Sequence, residues 1–347
     1  MKKLLTIAAL LVGVAAYLHY VQGWGARRFV KETIGRFRSA ESATTTPVGS
    51  RGAGTHWETA APMKKARSEI GAAEVGGKIY VVGGLDGFGR TLDTVEVYDI
   101  EKDSWSEAAR LPQALHHPAA ATDGKKVYVV GGFIGIAFRP VDTVYVYEPE
   151  TDSWSEAGRL NDFRGAGAAV FVDGKLHAAG GVTPSGVSGA FEWYDGEGRV
   201  WNGLKDLPTP REHLAAVGLD EKFYAVGGRK RWVDQNLAAL EAFDVSAPGW
   251  KSLPPMPTKR GGIAAAPYGG KIYVFGGEGR DGTFPQVEAY DPEAAKWELL
   301  PQPLPTPRHG LAAVPYQNRI YVLGGGKRPG FSVSDANEVL IFETPKP

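Results

Sequence analysis

The sequence predicts an all-β chain of six repeated units closed into a ring, and three observations carry that prediction. Glycine pairs recur at Gly83-Gly84, Gly131-Gly132, Gly180-Gly181, Gly227-Gly228, Gly276-Gly277 and Gly324-Gly325, spaced 48, 49, 47, 49 and 48 residues apart. A tryptophan keeps the same period at Trp57, Trp105, Trp154, Trp201, Trp250 and Trp297. The composition, with 46 Gly, 24 Pro, 9 Trp and 14 Tyr in 347 residues, suits many short strands joined by tight turns. A period near 50 residues marks a repeat architecture, in which each unit buries its faces against its neighbours.

A segment of another kind precedes the repeats. Met1, Lys2 and Lys3 lead into the uncharged stretch Leu4 to Leu18, which continues less cleanly to Val21. This pattern reads as an export or anchor signal over residues 1–23. Its length approaches that of a bilayer span, so a retained membrane anchor is expected, and the small residues Val14-Ala15-Ala16 leave signal-peptide cleavage as the alternative. An anchor or signal places the repeats on the extracytoplasmic side, or in a secreted or periplasmic form after cleavage. Arg27, Arg28, Lys31, Arg36 and Arg38 compete with Lys2 and Lys3 under the positive-inside rule and oppose that orientation. Residues 24–54 continue as this basic juxtamembrane stretch and then as a linker. Val30, Ile34 and Phe37 give the stretch an apolar edge, so it either lies in the headgroup region or stands as a solvated stalk. Ser39 to Gly54 is too poor in bulky apolar residues to offset its chain entropy and reads as flexible.

Each repeat then has the same internal order. An apolar strand such as KIYVVGG, KVYVVGG or RIYVLGG ends in the glycine pair, where positive φ and close backbone approach are available. After a variable loop a second strand closes on an aromatic and an acid, at Tyr98-Asp99, Tyr147-Glu148, Tyr194-Asp195, Phe243-Asp244, Tyr290-Asp291 and Phe342-Glu343. A hairpin such as PETDSW leads to the tryptophan strand. These residues resemble the kelch repeat, and the resemblance covers all six units. It implies a six-bladed kelch β-propeller over residues 55–347, each repeat forming a four-stranded blade. Trp57 precedes the first glycine pair and no tryptophan follows the last, so the final blade lacks its outer strand. The segment around Trp57 is expected to fill that place beside Glu338 to Glu343, which removes both open sheet edges.

The charge balance narrows the function. With 39 Lys and Arg against 39 Asp and Glu, no net field draws the chain to nucleic acid. The absence of cysteine removes disulfides, thiolate metal sites and cysteine nucleophiles, and with them the Tyr–Cys radical cofactor on which galactose oxidase relies. No cofactor and no metal are expected.

Sixteen residues before each glycine pair stand Arg67, Leu115, Arg164, Arg211, Arg260 and Arg308. Such a ring of guanidinium groups either holds a carboxylate or acidic peptide, or bonds blade backbone, as Arg here commonly does in kelch repeats. The next two positions, Ser68-Glu69, His116-His117, Gly165-Ala166, Glu212-His213, Gly261-Gly262 and His309-Gly310, are expected to face a ligand. They carry four of the seven histidines, on the second, fourth and sixth units, which are expected to stand too far apart to share one ion. His177 takes the place held by tyrosine in the other units and reads as a blade-core substitute.

The loops of the second half, among them TPREHLAA, GGRKRWVDQN and TPRHGLAA, resemble a bacterial kelch-repeat group often labelled galactose-oxidase-like. That resemblance marks Glu212, His213, Arg229, Trp232, Asn236, Glu278, Thr283, Phe284 and His309 as ligand-facing, to which the ring position adds Arg211, Arg260 and Arg308. The expected function is a binding module whose loop face recognises a protein, peptide or glycan, close to a membrane. The alternative is a carbohydrate mutarotase or epimerase resembling the sialic acid mutarotase, with Glu212, His213 and Glu278 as proton-transfer candidates.

Overall fold

The structure is a computed structural model that describes residues 54–343. The expected signal or anchor, nearly all of the basic stretch and linker, and residues 344–347 lie outside the described residues. Six four-stranded antiparallel sheets stand round a central axis. Their innermost strands are Gly71–Val75, Ala119–Thr122, Ala168–Val172, Ala215–Leu219, Gly261–Tyr268 and Ala312–Tyr316. The first blade shows the plan, running outward through Lys78–Val82, Val95–Asp99 and Ser104–Ala108. Among the described residues no helix is long and apolar enough to cross a membrane.

Alanine leads the inner strands, followed by valine and glycine, because six sheets converge there. The channel they leave, about 150 Å³, is walled by pairs such as Ala119-Ala120, Ala168-Ala169 and Ala312-Ala313. The bulky apolar residues face neighbouring blades instead. Tyr80, Val82 and Val95 of blade 1, for example, pack on Val127, Val129 and Tyr147 of blade 2. Four of the six periodic tryptophans hook their blade to the one before, while the indole N–H groups of Trp57 and Trp201 find no hydrogen-bond partner among the described residues. Trp105 Nε1 donates to Ala61 O at 2.7 Å, Trp154 to Ala109 O at 2.8 Å, Trp250 to Lys205 O at 2.6 Å and Trp297 to Pro254 O at 2.8 Å. An indole suits this position because its apolar body fills the wedge while its one donor reaches backbone.

The glycine pair serves the opposite junction. A Cβ at Gly83, whose φ is 61°, would lie 2.3 Å from Leu115 O in the next blade, and Gly84 N donates to that carbonyl at 2.8 Å. The contact recurs in every blade, ending with Gly325 N to Arg67 O at 2.8 Å. The sixth blade closes as the tryptophan phase requires. Thr55–Thr59 pairs antiparallel with Asn337–Phe342, Trp57 opposite Leu340.

That register corrects the sixth aromatic–acid pair. Trp105 faces Tyr98, so the equivalent of Tyr98 is Leu340, and Phe342-Glu343 stands two residues beyond the repeat position. Phe342 stacks on Tyr268 of blade 5 at 3.7 Å, a contact outside the repeat plan.

The arginine ring is internal, which corrects the assignment of Arg211, Arg260 and Arg308 to ligand binding. All three are fully buried, and each meets a third-strand carboxylate of its own blade. Arg211 pairs with Glu241 at 2.5 Å, Arg260 with Glu288 at 2.8 Å and Arg308 with Glu338 at 2.6 Å, as Arg67 pairs with Glu96 and Arg164 with Glu192. Thr209, Thr258 and Thr306 donate to the same three carboxylates. Blade 2 replaces both partners together, with Leu115 at the arginine position and Tyr145 at the glutamate position. A buried charge tolerates no orphaned partner, so the two sites must change as a pair.

Candidate functional site

At the entry to each innermost strand one residue adopts positive φ: Glu69, His117, Ala166, His213, Gly262 and Gly310, with values from 51° to 69°. Each donates its N–H to the same position of the preceding blade. Glu69 bonds Gly310 O at 2.7 Å, His117 bonds Glu69 O at 2.8 Å, Ala166 bonds His117 O at 3.3 Å and His213 bonds Ala166 O at 2.9 Å. Gly262 to His213 O at 3.0 Å and Gly310 to Gly262 O at 2.9 Å complete a closed ring of six backbone hydrogen bonds about the axis.

One buried polar network grows from that ring. Glu69 Oε1 lies 3.1 Å from His309 Nδ1 and its Oε2 lies 3.1 Å from His117 Nε2. His309 Nε2 donates to Arg328 O and Gly330 O at 3.0 and 3.1 Å, while its Nδ1 also faces Glu278 Oε2 at 3.7 Å. With carbonyls on one side and carboxylates on the other, both ring nitrogens carry protons. Burial alone would lower the His309 pKa, but Glu278 and Glu69 outweigh it and hold it at about 9. Burial pulls Glu278 the other way, and His309, Arg229 and the Gly330 N–H bring it down to about 2. Arg229 bridges Glu278 at 2.7 Å and Glu212 at 3.2 Å, and Glu212 Oε2 stands 3.5 Å from His213 Nδ1. Burial would raise Glu212 too, yet His213 and Arg229 hold it below the usual carboxylate range.

The histidines of blade 2 behave differently. His116 Nε2 donates to Gly135 O at 3.1 Å and its Nδ1 meets His117 Nδ1 at 2.6 Å. Burial among Phe133 and Phe138 pushes His116 down to about 4 and His117 well below its ordinary value, so both are neutral at pH 7.

Sequence reasoning therefore placed Glu212, His213, Arg229, Glu278 and His309 in one site, and the structure brings them together. They lie under the loops, none more than 8% exposed, rather than open to solvent. Asn236 belongs to the same support, donating to Glu278 O at 2.7 Å. Thr283 ties its loop to Pro307 O at 3.1 Å, and Phe284 packs over Gly279. Trp232 is half-buried beside Arg231, whose guanidinium sits 4.9 Å from the indole centre. Glu69 and His117 complete the network from blades 1 and 2, outside the sector that the second-half loops suggested. Distance does not separate the histidines either, because the His117 and His213 rings are 4.9 Å apart. Glu69, His117 and His213 bring one donor atom each within 4.8 Å of one another. His177, by contrast, is a blade-core residue, stacked on Phe191 at 5.6 Å.

Outside this buried network, the loop face carries a pocket of about 290 Å³ lined by Phe138, Pro140, Val182, Pro184 and Val187, with Glu212 and Arg231 also in its wall. Ile136 and Phe163, on loops of the same sector, are 52% and 43% exposed. Lys230, Arg231, Arg280, Lys327 and Arg328 are exposed on the loops of blades 4 to 6.

Comparison with known proteins agrees with this architecture. The structure is similar to that titled "Structure of YjhT", with a TM-score of 0.71 and 16% identity over 82% of this chain and 97% of that one, a likeness of fold. An F-box/kelch-repeat protein of Arabidopsis thaliana is 48% identical over 52 residues, which span 15% of this chain and 13% of that protein. Residues 66–112 and 114–161 each match the Kelch motif. Residues 165–346, more than half of the chain, match the KLHDC2/KLHL20/DRC7 Kelch-repeats domain, and with six glycine-paired blades closed on a tryptophan strand the chain belongs to the kelch-repeat β-propeller family.

Proposed function

We propose that this propeller is a binding module whose loop face takes a protein or peptide ligand combining an apolar anchor with acidic groups. The observation that carries the reading is the pocket between the loops of blades 2, 3 and 4, apolar in its walls and bordered by Arg231. An apolar side chain loses water there, while carboxylates beside it meet the basic loops of blades 4 to 6. The buried network beneath is held by ion pairs among Glu212, Arg229, Glu278 and His309, which suits a scaffold that presents loops. Peptide arrays followed by fluorescence anisotropy test this. Arg231→Glu is expected to weaken an acidic, apolar-anchored peptide by about tenfold or more, equal to about 1.4 kcal/mol. Equal affinity in Arg231→Glu and Val187→Asp would overturn the reading, as would selection of glycans in place of peptides.

A sugar mutarotase is the second reading, favoured by Glu212, which lines the pocket and leads to His213 and Arg229. NMR anomer exchange of N-acetylneuraminate and common aldoses tests it. Acceleration that is lost in Glu212→Ala would replace the binding-module reading with this one. The expected signal or anchor at residues 1–23 puts the loop face outside the cytoplasm, attached to a membrane or released from it. A reporter fused after residue 54 that works only in the cytoplasm would reverse that placement.

A further inference from the structure

We propose that Glu69, His117 and His213 form a binding site for a divalent transition-metal ion of the zinc type, where blades 1, 2 and 4 meet on the propeller axis. The site is independent of the loop-face ligand. Its three donor atoms lie within 4.8 Å of one another, and all three residues are at least nine-tenths buried.

Hydrogen-bond accounting shows why these donors lack something. A carbonyl only accepts, so His116 Nε2 carries the proton it gives to Gly135 O, and one further proton lies between His116 Nδ1 and His117 Nδ1, 2.6 Å apart. With that proton on His117, its Nε2 is a lone pair directed at Glu69 Oε2, another acceptor, at 3.1 Å, the arrangement in which a cation fits between them. His213 Nε2 has no hydrogen-bond partner among the described residues although the ring is buried, and its Nδ1 faces Glu212 Oε2 at 3.5 Å. A proton shared by Glu69 and His117 would satisfy that pair and leave His213 unsatisfied. A cation bound by all three satisfies every donor at once.

The surroundings are those of a built site. Metal-binding side chains are held by outer partners that fix their orientation. Here His116 holds His117, His309 holds the second oxygen of Glu69, and Glu212 stands 3.5 Å from His213 Nδ1, which leaves Nε2 for the ion. Two imidazoles and one carboxylate suit zinc and its transition-metal neighbours over calcium or magnesium, which take mostly oxygen ligands. Three protein ligands leave one tetrahedral position for water. The other ring positions, Ala166, Gly262 and Gly310, carry a methyl group or no side chain, and the axial channel of about 150 Å³ includes the three donors in its wall, which gives the ion a way in.

Full-length protein stripped with chelator and titrated with Zn²⁺ tests the proposal. The expected result is one zinc per chain by elemental analysis after gel filtration. Glu69→Gln and His117→Ala should each weaken binding by at least about 100-fold, more than loss of an outer partner does, while His56→Ala binds as wild type. Less than stoichiometric zinc in the wild type, or unchanged affinity in those two variants, overturns the site. His213→Cys guards against variants that fail to fold. The natural chain has no cysteine, so Co²⁺ bound to a folded His213→Cys protein should show a thiolate-to-cobalt absorption that the wild type lacks. A folded variant without that band also overturns it.

Discussion

Replacing Arg260 by leucine would reproduce in blade 5 half of what blade 2 carries naturally. Arg260 donates to Glu288 at 2.8 Å, Gly276 O at 3.0 Å and Gln286 O at 2.7 Å, all within a fully buried site. Arg260→Leu strands Glu288, which is 1% exposed, with Thr258 as its remaining hydrogen-bond donor. Removing one member of a buried ion pair costs about 3 to 5 kcal/mol. In a domain of about 290 residues the unfolding entropy is near 0.6 kcal/mol/K. A loss of about 4 kcal/mol therefore lowers the melting temperature by about 6 to 7 °C. Adding Glu288→Tyr, the residue at that position in blade 2, removes the stranded charge and should recover about half of the loss, measured as coupling in a double-mutant cycle. Guanidinium unfolding followed by tryptophan fluorescence and calorimetry reads both variants. A single variant that loses less than about 1 kcal/mol, or a double variant no better than the single, would refute the reasoning that these pairs are kept because neither partner tolerates isolation.

Three further outcomes follow from named contacts. Trp57→Ala removes a half-buried indole that meets Phe275 edge-on at 6.1 Å and should cost about 2 kcal/mol in guanidinium unfolding; a loss below about 0.5 kcal/mol would mean that the closing strand holds by backbone pairing alone. Gly276→Ala sets a Cβ 2.2 Å from Arg308 O at φ 63° and should destabilise by about 3 kcal/mol or more, which a near-native melting temperature would contradict. His309 has its pKa raised from 6.5 to about 9, so its contribution is complete below about pH 6.5 and is lost as pH climbs through about 9. In chelator-treated protein that contribution is on the order of 3 kcal/mol, and His309→Gln should flatten the fall in stability between those limits. Parallel pH profiles for the two proteins would count against the ion pair.

The ring was legible because two kinds of residue have single physical uses at blade junctions. The glycine pair abuts the next blade's carbonyl, and the tryptophan fills the wedge beside the previous blade and in four blades donates to its backbone, so both recur at the blade period. The sixth aromatic–acid pair misled for the converse reason. Leu340 fills the aromatic position adequately, and Phe342 is aromatic on account of Tyr268 next door, a contact without a counterpart in the repeat. Arginine type and spacing were visible, but whether a guanidinium points into a blade or at a ligand depends on its partner, and the third-strand glutamates lie about thirty residues away. Glu69 and His117 stood among the ring positions expected to face a ligand, but their meeting with His213 was not legible, because it depends on a positive φ that non-glycine residues seldom take and that turns the side chains toward the axis.

The closed circle of six N–H···O bonds has a bearing on how the protein can diversify. Its cohesion comes wholly from main-chain atoms, and glutamate, histidine, alanine and glycine already occupy it. Exchanges on this hoop differ in cost, because Ala166 and Gly262 carry no polar group whereas a Cβ at Gly310 would lie 2.5 Å from the Glu69 carboxyl and loss of Glu69 would strand the buried His309. Adding or deleting a whole blade would break the circle, since each blade supplies one donor and one acceptor. Evolution and design thus have a socket of fixed circumference whose inward chemistry is open to change at Ala166 and Gly262 and tied to neighbouring blades at Glu69, His117 and Gly310.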